Sequence, residues 1–149
     1  MADLRDIYQE VILEHAKTPR NYRELKEPTQ KAEGYNPLCG DRCTVYLKLN
    51  GEVIEEVGFQ GVGCAISRAS ASMMTQALQG KTVSEAEEVS RNFLALVTGQ
   101  ASADPARFGK LAVFGGVCAF PVRVKCATLA WHTLEAALHG DRVPVTTES

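Results

Sequence analysis

The feature that most constrains the fold of this chain is a hairpin signal near its middle. Cys43 to Leu49 alternates, with Val45, Leu47 and Leu49 set against Thr44, Tyr46 and Lys48, and Asn50-Gly51 follows as a tight turn before Val53 to Phe59 resumes in the extended style. This pattern reads as a β-hairpin. At the entrance of the hairpin lies Asn36-Pro37-Leu38-Cys39-Gly40-Asp41. Pro37 and Gly40 force a turn there, and Cys39 and Asp41, two positions apart, project to the same side. A thiol and a carboxylate so placed are two of the four donors a tetrahedral metal needs.

Helical patterns surround this hairpin. Leu4, Ile7, Tyr8, Val11, Ile12 and His15 recur at helical spacing up to Thr18-Pro19, with Tyr8 and His15 read as packing residues. A polar, turn-rich stretch follows, within which Lys31 to Tyr35 reads as a short edge strand. Ala65 to Gln79, stopped by Gly80, is rich in Ala, Ser and Met, which predicts a helix packed closely on its small-residue side, with Met73 and Met74 as core filler. Ser84 followed by Glu87 is a capping-box pattern opening a helix to about Thr98. Gln100 to Gly116 has little period and accommodates at most a short helix. A long helix is expected over Arg123 to His139, and residues 141–149 read as a polar tail.

With 149 residues, 45% hydrophobic and 23% charged, the chain is expected to form one domain with a core able to fold unaided. A net charge of −2 without any basic run argues against nucleic-acid binding. No stretch approaches membrane-spanning length, and the charged N-terminus is unlike a signal peptide, so the expected compartment is the cytoplasm.

Five cysteines, an odd number, point to metal or redox chemistry rather than a disulfide framework. No CxxC pair exists, so any metal site must be assembled from distant segments. Cys39 sits on a turn, Cys64 at a helix start and Cys126 in the first turns of the last helix, where the dipole favours a thiolate. Cys43, inside an alternating strand, and Cys118, among Val117, Ala119 and Phe120, read as small buried hydrophobes. Cys39, Cys64, Cys126 and Asp41 thus form a donor set suited to zinc, while His132 and His139 lie too far along their helix to join it.

Several motifs taken together resemble one family. Tyr8…His15-Ala-Lys-Thr-Pro19-Arg20-Asn21, Cys39-Gly40-Asp41, Gly63-Cys64-Ala65-Ile66-Ser67, Gly80-Lys81-Thr82 and Lys125-Cys126-Ala127-Thr128-Leu129-Ala130-Trp131 resemble, in order and spacing, the NifU N-terminal/IscU family of iron–sulfur cluster assembly proteins, and most closely its SufU branch. The resemblance implies a single-domain α+β fold, with a three-stranded antiparallel sheet packed against several helices. It implies zinc on Cys39, Asp41, Cys64 and Cys126, with Cys39 as the sulfur acceptor and Arg123 and Lys125 as auxiliary basic residues. Lys125 stands where IscU-type scaffolds have a His, and residues 100–116 correspond to a SufU-type insertion. The implied activity is that of a sulfurtransferase that takes persulfide sulfur from a pyridoxal-phosphate-dependent cysteine desulfurase, SufS-like, and serves downstream iron–sulfur assembly or client proteins. The alternative implied role is a scaffold on which a transient [2Fe–2S] cluster is built on the same donors.

Overall fold

The computed structural model describes residues 10–37 and 40–140 together with the backbone of residues 145–146. Three strands form the antiparallel sheet, β1 (Gln30–Asn36), β2 (Asp41–Asn50) and β3 (Val53–Val62). The Asn50-Gly51 turn closes β2 onto β3, with Gly51 at φ +65° and Asn50 paired with Val53. Around the other turn, Asn36 and Asp41 form the last pair between β1 and β2. Ala32, Val45, Leu47, Val57 and Phe59 are buried along the covered face. Tyr46, on the opposite face, is buried as well, and its hydroxyl donates to Gln60 at 2.9 Å. A fourth strand, β4 (Val145–Thr146), pairs parallel to Gly34 and Tyr35 at the outer edge of β1. Part of the expected polar tail therefore continues the sheet.

The helices are α1 (Glu10–Lys17), α2 (Ala65–Leu78), α3 (Val83–Val97), the single turn α4 (Pro105–Phe108) and α5 (Pro121–Leu138). The proposed contributions of Leu4, Ile7 and Tyr8 to the first helix lie outside the described residues. Between α4 and α5, Gly109–Ala119 winds in 3-10 turns, and its threefold spacing turns Leu111, Phe114 and Val117 inward. The same spacing turns Cys118 outward: it is exposed and its sulfur lies 3.4 Å from the Gly115 carbonyl, so it is not the buried hydrophobe that its apolar neighbours implied. Among the described residues no helix is long and apolar enough to cross a membrane.

Helix α5 lies across β1 and β2 and against α2, and α1 packs on the far side of α2. The small residues of α2 make this sandwich close. Ser70 donates to the Ala127 carbonyl at 2.6 Å and accepts from the Trp131 indole at 3.0 Å, while Trp131 stacks on Phe93 with ring centroids 4.5 Å apart. Ser72 accepts from the backbone N–H of Arg20 at 2.8 Å and meets His15 Nδ1 at 2.7 Å. His15, Ser70 and Ser72 are buried, so each satisfied polar group costs little and ties one helix to the next.

Two consequences are measurable. The capping box of α3 is Thr82 with Glu85, whose backbone N–H donates to Thr82 Oγ1 at 3.1 Å while Thr82 N–H donates to Glu85 Oε1 at 3.0 Å. The expected Ser84/Glu87 pair is displaced because Val83 N–H is held by the Glu52 carbonyl and Ile54 N–H by that of Lys81, which pins the helix start two residues earlier. Replacing Thr82 by Ala is expected to cost about 1 kcal/mol in urea unfolding, and Ser84→Ala much less; equal costs would contradict the assignment. Burial, helped by the Arg20 and Lys110 charges and opposed by that of Glu14, holds the His15 imidazole below its ordinary 6.5. The unfolded chain then binds a proton that the folded chain refuses, so the contribution is present above that value and lost as pH falls below it. Stability of the wild type should therefore rise between about pH 5 and pH 7 more steeply than that of His15→Gln; parallel curves would contradict this.

Candidate metal centre

Three separate elements end at the same place. Asp41 is the first residue of β2, Cys64 is the N-cap of α2 directly beyond β3, and Cys126 lies in the second turn of α5. A carboxylate oxygen of Asp41 and the sulfurs of Cys64 and Cys126 all lie within 4.8 Å of one another, the one group of three or more such donors among the described residues. Cys39 lies outside the described residues; chain connectivity keeps it two residues from Asp41. Gly40, next to it, has φ +70°, the left-handed conformation expected of the turn.

Asp41 is fully buried. Its Oδ1 accepts the backbone N–H of Cys64 at 3.1 Å, which ties β2 to the start of α2. Gly63 permits this approach, because a Cβ there would come within 2.7 Å of Asp41 Oδ1 and 3.1 Å of Ser67 Oγ. The second oxygen, Oδ2, is buried without a hydrogen-bond partner. A buried, unpaired carboxylate oxygen in a residue that also meets two sulfurs is costly unless a cation or proton meets it.

The two sulfurs lie within hydrogen-bond reach of each other. Cys64 is pulled down to about 6, first by its hydrogen bond with Cys126 and then by the backbone N–H groups of Ser67 and Ile66, against the effect of burial and of the Asp41 charge. Cys126 is driven upward by the same hydrogen bond, by burial and by the charges of Cys64 and Asp41. Cys126 is the sixth residue of α5, past its first turn, and fully buried. Three anions cannot coexist in this volume without a positive charge among them, and the oxygen and sulfur donors suit zinc or iron(II).

The remaining predicted residues fall as follows. Arg123 and Lys125 are half-buried in the first two turns of α5, Arg123 one turn before Cys126 on the same side. Cys43 is buried on the covered face of β2, its thiol pushed up to about 12 by burial. His139 meets Glu87 at 3.3 Å and His132 stands 4.0 Å from Glu135, both at the surface. Asn36, Gly63 and Ser67 stand in the sequence motifs but were given no role of their own at the site. Asn36, fully buried, places its amide Nδ2 3.9 Å from Cys126 Sγ. The signal for it was a polar residue at a position of β1 where alternation after Ala32 and Gly34 calls for a buried one.

The chain is similar to known proteins along nearly its whole length. The model of the NifU-like N terminal domain matches residues 7–140. The zinc-dependent sulfurtransferase SufU of Bacillus subtilis is 42% identical over 134 residues, covering 90% of each chain. The iron-sulfur cluster assembly scaffold protein IscU of Streptococcus pyogenes is 36% identical over 138 residues, 93% of this chain and 86% of that one. A crystal structure of a putative iron-sulfur cluster assembly scaffold protein for the SUF system from Fervidobacterium islandicum superposes with a TM-score of 0.84 at 37% identity, covering 91% of this chain and 99% of the other. The chain belongs to the family of the NifU-like N-terminal domain, and its fold is that of the solved SUF-system relative.

Proposed function

We propose that this protein is a zinc-dependent sulfur acceptor of iron–sulfur cluster assembly, acting in the cytoplasm, which takes sulfur on Cys39 from a cysteine desulfurase and passes it on. The observation that supports this reading most is the meeting of an Asp41 carboxylate oxygen with the sulfurs of Cys64 and Cys126, in a residue whose Oδ2 is buried without a hydrogen-bond partner. Cys39, two residues from Asp41, would complete four donors. The name of the Bacillus subtilis relative, a zinc-dependent sulfurtransferase, points the same way. Zinc on these donors would supply the positive charge that keeps the sulfurs deprotonated and holds the turn against β2.

The chain's own residues then divide the work. Asp41 and Cys126, fully buried, are the fixed members, and Cys64 is held at the N-terminus of α2. Cys39 belongs to the turn between β1 and β2 and is the member that meets the donor protein. Its thiolate attacks the outer sulfur of the desulfurase persulfide. A new S–S bond forms at Cys39, the S–S bond of the donor breaks, and its electron pair stays on the desulfurase cysteine as thiolate. The transfer is redox-neutral and leaves a persulfide on Cys39. Arg123, on the side of α5 that carries Cys126, would steer the anionic sulfur, with Lys125 adding to the local positive field.

The test is desulfurase turnover on cysteine with this protein present. Wild type is expected to raise turnover and acquire sulfur on Cys39, seen as a mass increase of one sulfur, while Cys39→Ala does neither and remains folded. Turnover indifferent to Cys39, with iron and sulfide taken up as a transferable cluster on the same donors, would overturn the acceptor reading in favour of the scaffold role named for the Streptococcus pyogenes relative.

A further inference from the structure

Asn36 is a buried polar residue that the acceptor chemistry does not use. It ends β1, whose alternation places Ala32, Gly34 and Asn36 on the covered side, and α5 packs over β1 and β2. Its register partner is Asp41. Cross-strand partners share a face, so one strand pair presents the carboxylate and the carboxamide together, with the turn that holds Cys39 joining them. Asn36 is 0% exposed, and a carboxamide is costly to bury unless its groups are used. Its Nδ2 lies 3.9 Å from Cys126 Sγ, across 90 residues of sequence.

The geometry points to Asn36 as a positioning residue for the metal centre: its side-chain N–H donates to Cys126 Sγ, turns that sulfur toward Asp41 and Cys64, and withdraws charge from it. This inference rests on the metal reading proposed above. The choice of residue fits the task. An apolar side chain offers no donor, Asp would bring another negative charge against Asp41, and Lys or His would bring a proton that can leave. A carboxamide donates without carrying charge. Residues that hydrogen-bond to a ligand fix its orientation and tune its donor strength. Cys126 is thereby held from two sides, by its helix and by Asn36, which suits a donor that keeps its place while Cys39 accepts sulfur.

The test uses the whole protein loaded with cobalt(II), whose thiolate-to-metal charge-transfer band reports on the sulfur orbitals. Losing an N–H donor raises those orbitals, so Asn36→Ala and Asn36→Ser are expected to move the band to lower energy and to weaken zinc by roughly 10- to 100-fold in chelator competition, in protein whose circular dichroism matches wild type. A folded variant with an unmoved band and unchanged zinc affinity would overturn the inference, leaving Asn36 a filler of the core. If neither variant folds, wild type loaded with an NMR-active cadmium isotope decides. Scalar coupling between cadmium and an Asn36 side-chain amide proton is expected, and its absence would overturn the inference. Wild type that takes up none of these metals would overturn the metal reading and this inference together, an outcome distinct from a wild-type site that ignores Asn36.

Discussion

Everything at the functional end of this molecule depends on one buried carboxylate. Asp41 accepts the Cys64 N–H through one oxygen, holds the other buried without a hydrogen-bond partner, and brings a carboxylate oxygen within 4.8 Å of two sulfurs. A carboxylate fully out of water is tolerated only where opposite charge or hydrogen bonds meet it. The surrounding structure is arranged around that cost. Gly63 has no Cβ that would block Asp41, α2 starts where its first backbone N–H groups face the Cys64 sulfur, and Cys126 closes the remaining side. A divalent cation would resolve the arrangement electrostatically, and the mixture of sulfur and oxygen donors suits zinc or iron(II).

The scaffold places these donors by ending three elements together. The β1–β2 register stops at Asn36 and Asp41, β3 runs out at Val62, two residues before Cys64, and α5 crosses the sheet so that its second turn overlies them. What holds α5 there is the close contact with α2, made by Ser70 beneath Ala127 and Trp131, with Phe93 stacked on the indole. The small residues of α2 are thus spent inside the protein, between α1 and α5. They are not available as a docking face.

Much of this was legible in the sequence, for identifiable reasons. The hairpin was marked by alternation and Asn-Gly, both local signals, and the donors stood out because Gly and helix starts flank them. Gly40, with its positive φ, and Cys64, at an N-cap, are where those signals put them. What escaped depended on tertiary context. The start of α3 is set by backbone hydrogen bonds to the β2–β3 hairpin, which choose Thr82 over Ser84 among two overlapping capping patterns. The exposure of Cys118 follows from 3-10 winding that a helical or extended reading does not anticipate. The upward push on the Cys126 thiol comes from Cys64 and burial first and from the Asp41 charge as well, groups brought to it from 62 and 85 residues away. The role assigned to Asn36 required knowing that the end of β1 faces α5.

The most direct measurement is X-ray absorption at the zinc edge on purified, zinc-loaded protein, compared with Asp41→Ala. The account predicts a first shell of three sulfurs at about 2.3 Å and one oxygen at about 2.0–2.2 Å in wild type, with the oxygen contribution altered in the variant. A shell dominated by nitrogen and oxygen, or one indifferent to Asp41, would show that zinc sits elsewhere and that these residues do not form the centre described.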